Sequence, residues 1–138
     1  MKDGRASFVD VRDIAAVTIG VLVDGGREGK TYQVTGPESL SFADVAKKLS
    51  DATGRRVRYV DLPAEEFVKT MRGAGVPEWL ATELAALHEL FSKGLGDFVT
   101  DVVQSVGGKH PITLDQFARE FAMVFKGAPH VSVFAAYL

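Results

Sequence analysis

The stretch FVDVRDIAAV, residues 8–17, sets the first unit of the fold. Residues 7–9 are long enough only for a brief strand, and Asp10 follows with a carboxylate that can accept backbone N–H groups at the start of a helix. Val9 and Ile14 flank this cap at the positions of a hydrophobic staple. Apolar residues then recur at helical spacing beyond the end of the stretch. The stretch therefore predicts a strand followed directly by a helix.

The same order of strand and helix recurs further along the chain. Residues 31–35 and 57–60 have the composition and alternation of strands, and a helix opens at Ser41 between them. The helices expected after the third strand cover residues 63–73, 77–93, 101–106 and 113–125. Because strands that alternate with helices usually pair in parallel, the predicted class is α/β. We expect a small, mostly parallel sheet of about three strands, covered by helices.

The composition fits one small domain without a membrane segment. The chain has 138 residues, of which 46% are hydrophobic and 25% are charged, and domains usually contain about 100–150 residues. No run reaches the roughly 18 apolar residues of a membrane span, so no membrane partner is expected. A formal net charge of −2 argues against nucleic acid as a partner, since that requires a basic surface. We expect a single domain over residues 1–127 and an apolar tail over residues 128–138 that packs at an interface.

Several kinds of site are excluded or disfavoured by residue type. The chain has no cysteine, which excludes disulfides, thiolate catalysis and zinc held by cysteine. His88, His110 and His130 lie far apart and have no companion at metal-ligand spacing, so no metal site is predicted. The first residues are polar and carry no apolar signal core, which makes the cytoplasm the expected location.

No dinucleotide-binding motif is recognisable. The segment DGGREGKT, residues 24–31, resembles a phosphate-binding loop, but Asp24 stands where that motif needs glycine. The predicted order of helix then strand around it is also reversed, so we interpret it as a turn. No Gly-x-Gly-x-x-Gly follows a predicted strand, and no Tyr-x-x-x-Lys pair is present. Helix capping explains Asp10 and Asp13 more simply than paired catalysis does, and the sequence identifies no catalytic residue.

One group of side chains is a candidate substrate pocket. Trp79 and His88 lie at the flanks of the apolar stripe of the longest predicted helix. Together with Tyr59 and Phe91 they could line a pocket for a small molecule. Peripheral core packing is the alternative, because a pocket wall and a core look alike in sequence.

Several short segments carry a family resemblance. They are FVDVRDIA at 8–15, GKTYQVTGPE at 29–38, LSFADVA at 40–46, GVPEW at 75–79 and PITLDQF at 111–117. In this order they resemble the carboxy-terminal part of the NmrA-like branch of atypical short-chain dehydrogenases. The resemblance covers roughly residues 4 to 126.

The resemblance implies a fold and an activity. It implies the carboxy-terminal remnant of a Rossmann fold joined to a helical substrate lobe. The branch includes NAD(P)H-dependent quinone and azo reductases, so the resemblance names an oxidoreductase. In that family the dinucleotide site lies in the amino-terminal half, which has no counterpart in this sequence. We therefore expect NAD(P) in full-length members of the family and no cofactor on the isolated chain.

Three functional hypotheses follow from these observations. The first is a non-catalytic remnant that self-associates, most simply as a homodimer with exchanged strands or tails, through the surface left by the missing half. The second is a fragment of an NAD(P)H-dependent oxidoreductase that acts on quinone-like small molecules when a nucleotide-binding half is supplied. The third is a small enzyme of other chemistry with a pocket at a dimer interface.

Overall fold

The computed structural model describes residues 4–127, and within them helices dominate. In chain order the elements are β1 (Arg5–Ala6), α1 (Val11–Val23), β2 (Leu40–Ser41), α2 (Phe42–Thr53), α3 (Ala64–Gly73), α4 (Glu78–Ser92), α5 (Val102–Ser105), α6 (Leu114–Glu120) and α7 (Ala122–Gly127). The apolar tail predicted over residues 128–138 lies outside the described residues. No helix in the described part of the chain has both the length and the apolar character of a membrane span.

The predicted sheet of about three mostly parallel strands is wrong for the described residues. The sheet found there has two strands of two residues each, β1 and β2, and they run antiparallel with Arg5 opposite Ser41. The structure has no strand in the three segments whose sequences are typical of strands, which are residues 7–9, 31–35 and 57–60. The physical reason is that strand character in a sequence reports a surface suited to pairing, and a strand forms only where a partner completes the ladder.

Helix starts follow the capping chemistry of the sequence. Asp10 accepts the backbone N–H of Arg12 at 2.8 Å and caps α1. Ser41 and Asp44 form a reciprocal capping box on α2, and Thr113 and Gln116 form another on α6. These boxes fix where the two helices begin.

The apolar interior is divided into three small clusters. In the first, α2 packs on α6 through Val45, Leu49 and Ala118. In the second, α1 packs on α5. In the third, α3 packs on α4. The pair α3 and α4 therefore forms its own small lobe, and this lobe holds the pocket described below.

Helix α1 is apolar on two sides. Its inner side is buried through Val17, which packs against α5. Its outer side leaves Val11 75% exposed and Leu22 77% exposed. A helix that is apolar around most of its circumference is normally covered on both sides, as in the core of a larger protein. The outer face of α1, defined by Val11, Ile14, Ile19, Leu22 and Val23, is thus an uncovered apolar surface.

Candidate functional site

A cluster of aromatic rings surrounds His88. This residue lies on α4, and its imidazole centroid is 5.0 Å from that of Phe42 and 5.1 Å from that of Phe67. Phe91, one turn further along α4, lies 6.3 Å from His88. Phe42 is the first residue of α2, and Phe67 belongs to α3. Three helices therefore converge on one histidine, at distances typical of packed ring pairs.

Tyr59 forms the outer side of this cluster. Its ring stacks on Phe42 with a centroid separation of 5.7 Å, and its hydroxyl donates a hydrogen bond of 3.0 Å to Asp61. Burial, together with this hydrogen bond, raises the pKa of Tyr59 above its ordinary value. The phenol therefore stays neutral at physiological pH, with its polar end held by the loop before α3.

His88 is buried but its hydrogen-bonding capacity is not used in full. The residue is 3% exposed, and its Nδ1 is buried without a hydrogen-bond partner. Burial lowers the pKa of His88, because desolvation disfavours the imidazolium form. The side chain is therefore a neutral imidazole inside an apolar cluster, and an unpaired buried nitrogen of this kind has an energetic cost.

A pocket of about 230 Å³ opens beside His88, between α3 and α4. Leu62, Pro63 and Phe67 line one side of it, and Ala85, His88 and Ser92 line the other. Its walls combine apolar carbon with a few polar groups, which is the usual character of small-molecule sites. It is the only feature among the described residues that joins a cavity to a buried, unpaired side-chain nitrogen.

The four residues predicted to line a substrate pocket are placed differently from one another. The ring of Phe42 contacts three of them, Tyr59, His88 and Phe91. Trp79 lies in the first turn of α4, is 68% exposed, and takes part in none of the ring pairs found among residues 4–127. Phe42 and Phe67 are not among the predicted pocket residues, because their apolar spacing in the sequence fits an ordinary helix core equally well.

The polar residues of the DVRD motif, residues 10–13, hold the fold together. Arg12 donates to both oxygens of Asp10 and to both carboxylate oxygens of Glu120, with distances of 2.8–2.9 Å. Asp13 is fully buried, pairs with Lys109, and accepts the backbone N–H of Ile112 at 2.7 Å. The interpretation of Asp13 as a helix-start residue was therefore incomplete. Its partners are almost a hundred residues away, and no local signal in the sequence identifies them.

The described residues do not fit a dinucleotide. Phosphate groups are usually bound at a free helix N-terminus, where acidic side chains are unfavourable. In the described part of the chain every helix of ten or more residues carries an acid in its first turn, namely Asp13, Asp44, Glu65 with Glu66, and Glu78. The segment at residues 24–31 follows the end of α1, and no helix begins there. It is a turn in which Gly25, Gly26 and Gly29 have positive φ.

A resident metal also finds no site in the part of the chain that the structure describes. No group of three or more histidine or carboxylate side chains in residues 4–127 is arranged so that it could hold a metal ion. His110 is exposed, His88 is enclosed by rings, and His130 lies outside the described range.

Comparison with known proteins identifies the family. A model of the NmrA-like family matches residues 2–117. The chain is 42% identical over 129 residues to an NAD(P)H azoreductase of Xenophilus azovorans, and the match covers 91% of this chain and 44% of the relative. It is 30% identical over 112 residues to quinone oxidoreductase 2 of Escherichia coli, covering 80% of this chain and 38% of the relative.

Solved structures agree with these relatives. An NADPH-dependent quinone oxidoreductase from Escherichia coli superimposes with a TM-score of 0.80 at 26% identity, over 86% of this chain and 43% of the other. A triphenylmethane reductase from Citrobacter, solved in complex with NADP(H), gives a TM-score of 0.77 at 28% identity, over 87% of this chain and 42% of the other. The chain spans less than half the length of the relatives it matches. It has an α/β fold like theirs, and it belongs to the NmrA-like family.

Proposed function

We propose that this chain is the substrate-binding part of an NAD(P)H-dependent reductase of quinone-like small molecules. The observation that carries the proposal is the aromatic cluster around His88, which borders the pocket between α3 and α4. Two relatives that the chain resembles are named NAD(P)H azoreductase and quinone oxidoreductase. Both names refer to conjugated, planar substrates.

The chemistry of the pocket suits a neutral, flat molecule. Phe67 and His88 are among the residues that line it, and aromatic surfaces bind conjugated rings with a large apolar contact area. The buried imidazole of His88 is neutral, so it adds polarity without a charge to be desolvated. Glu89 supplies the only carboxylate that lines this pocket. It forms an ion pair of 2.8 Å with Lys93, which neutralises its negative charge.

The nucleotide has to be held by a separate half of the fold. The acids in the first turns of the long helices argue against a phosphate site among residues 4–127. The outer face of α1 is suited to contact such a half, because its apolar side chains are uncovered. We assign that face to the α/β nucleotide-binding half of the same enzyme type, joined to this chain or supplied by another.

A chimera tests this proposal. The region of the Xenophilus azovorans azoreductase that this chain matches is replaced by this chain, and NADPH oxidation is followed after addition of 1,4-naphthoquinone. We expect quinone-dependent oxidation of NADPH by the chimera and none by the rest of the azoreductase alone. A folded chimera that binds NADPH but reduces neither naphthoquinone nor an azo dye contradicts the proposal.

A second candidate function is self-association without catalysis. The observation that favours it is the same outer face of α1, since a second copy of the chain could cover it when no nucleotide-binding half is present. A homodimer of the isolated chain is compatible with both candidates. If the chimera described above is inactive and the isolated chain forms a stable homodimer, the two results together support only the non-catalytic candidate.

A further inference from the structure

The unpaired nitrogen of His88 is the one polar atom that the pocket region leaves unexplained. Buried side-chain nitrogens normally have a partner, and leaving one unpaired weakens the folded state. In the described residues, only two buried side-chain nitrogen or oxygen atoms lack a hydrogen-bond partner. One is Nδ1 of His88, and the other, Oε1 of Glu38, does not border this pocket. His88 is among the residues that line the cavity.

The surroundings leave the imidazole few alternatives for pairing. Its neighbours on three helices are the rings of Phe42, Phe67 and Phe91, which offer no conventional hydrogen-bonding group. Rotation of the ring by 180° about the Cβ–Cγ bond exchanges Nδ1 with Cδ2 and keeps nearly the same ring outline. Each edge of the imidazole can therefore present a nitrogen without repacking of the rings around it.

We propose that His88 is the specificity-determining residue of the pocket between α3 and α4, and that its imidazole hydrogen-bonds an oxygen of a bound one- or two-ring quinone or phenol. The choice of quinone-like molecules rests on the proposed function, whereas the role of His88 rests on its burial and its unpaired nitrogen. A neutral imidazole both donates and accepts a hydrogen bond. It therefore suits the carbonyl oxygen of a quinone as well as the hydroxyl group of the reduced form.

The size of the cavity limits the ligand. Its volume of about 230 Å³ lies below the range of about 300–1,000 Å³ that drug-sized ligands occupy. A naphthalene-sized ring system is therefore a better match than an extended azo dye. The absence of cysteine removes covalent addition of thiols to the quinone as a competing reaction.

The test is a binding experiment on the full 138-residue chain without any nucleotide. Three ligands of similar outline are titrated: 1,4-naphthoquinone, which accepts hydrogen bonds, 1-naphthol, which also donates one, and naphthalene, which has no oxygen. The ¹⁵N resonances of the three histidines are recorded at each step. The variants are His88→Phe, His88→Asn, which keeps a polar nitrogen near the Nδ1 position, and His110→Phe as the exposed control.

The expected result separates the hydrogen bond from the apolar contact. An imidazole resonance of His88 shifts with naphthoquinone and with naphthol, and stays in place with naphthalene. His88→Phe weakens binding of naphthoquinone about tenfold, as loss of one hydrogen bond does, and changes binding of naphthalene less than twofold. His88→Asn recovers part of the loss, and His110→Phe leaves all three affinities unchanged.

Several results overturn the assignment. One is a His88 resonance that does not shift at saturating naphthoquinone. Another is an equal loss of affinity for all three ligands in His88→Phe. A third is that none of the three ligands binds to the chain. The resonance measurement uses the unsubstituted protein, so it decides the question even where a variant fails to fold. Quinone binding through His88 with an inactive chimera contradicts only the proposed function. An active chimera that is unaffected by His88→Phe contradicts only the role of His88.

Discussion

At the scale of single residues, two buried polar side chains have different roles. Asp13 is fully buried and satisfied, by Lys109 and by the backbone N–H of Ile112. His88 is buried and incompletely satisfied. A satisfied buried group contributes to the fold, whereas an unsatisfied one beside a cavity is a candidate for ligand recognition. This contrast is why we assign Asp13 to structure and His88 to function.

The first prediction concerns the pH dependence of stability. The pKa of His88 lies below its ordinary value of 6.5 in the folded chain, because burial disfavours the charged form. As the pH falls below about 6.5, the unfolded chain binds a proton at this residue before the folded chain does. The free energy of unfolding therefore falls by up to about 1.4 kcal/mol per pH unit, until the folded pKa is reached.

Urea unfolding at a series of pH values between 7.5 and 5 measures this effect. Glu89 stays charged throughout this window, because its hydrogen-bonded ion pair with Lys93 lowers the pKa of Glu89. The carboxylates of Asp10 and Asp44, whose pKa values are also lowered, contribute only at more acidic pH. His88→Phe removes the slope between pH 6.5 and 5 and His110→Phe keeps it. An unchanged slope in His88→Phe shows that another group is responsible.

The second prediction concerns Asp13. Asp13→Ala leaves the backbone N–H of Ile112 and the ammonium group of Lys109 without their buried acceptor, so it destabilises the chain by about 3 kcal/mol. The matched control is Asp24→Ala, since Asp24 is exposed and loses only a surface pair with Arg27. We expect Asp24→Ala to change the free energy of unfolding by no more than about 0.5 kcal/mol. Equal effects of the two substitutions, measured by urea unfolding, contradict the structural role of Asp13.

At the scale of elements, the helix starts with side-chain caps were predictable, whereas the strands and the division of the helix predicted over residues 113–125 into α6 and α7 were not. The capping boxes at Ser41 and Thr113 are local, so the sequence contains all the information that places them. The sequence 31–35 has strand composition, yet it makes no ladder in the described part of the chain. A ladder needs a second strand, and the local pattern does not show whether one is present.

The third prediction belongs to α6. Thr113→Ala removes the hydroxyl that accepts the N–H of Gln116 at 3.1 Å, and it lowers the free energy of unfolding by about 1 kcal/mol. Thr113→Ser keeps a hydroxyl at the same position and is the matched control, with little change in the free energy of unfolding, because serine caps helices at least as well as threonine. If both variants unfold at the same urea concentration as the original chain, packing against α2 rather than the cap holds α6.

At the scale of the whole molecule, the pocket and the uncovered face lie on different parts of the fold. The pocket belongs to α3 and α4, and the apolar face belongs to α1. Three of the four residues predicted to line a pocket, Tyr59, His88 and Phe91, lie together around Phe42, but only His88 of the four lines the pocket between α3 and α4. The prediction for Trp79 rests on its position at the flank of the apolar stripe, but the side chain is 68% exposed and lies apart from these rings. Which rings surround His88 depends on contacts between helices, which periodicity does not encode.

The fourth prediction concerns association of the isolated chain. Leu22→Lys places a charge on the outer face of α1, so it weakens a homodimer formed through that face at least tenfold. Ala43→Lys, at an exposed position of α2, is the control and leaves the association unchanged. Light scattering at about 0.1 mM chain detects modest interfaces of this kind. A monodisperse monomer in the unsubstituted chain contradicts the second candidate function, in which another copy of the chain covers this face.

The central claim is that this chain binds the substrate and not the nucleotide, and one calorimetric experiment tests it most directly. Purified full-length chain is titrated with 1,4-naphthoquinone and, in a parallel sample, with NADPH. We expect saturable binding of naphthoquinone and no measurable binding of NADPH, because the first turns of the long helices carry acids, whereas the pocket beside His88 is lined mainly by apolar residues and its one carboxylate, Glu89, is paired with Lys93. A micromolar dissociation constant for NADPH together with no heat from naphthoquinone contradicts it.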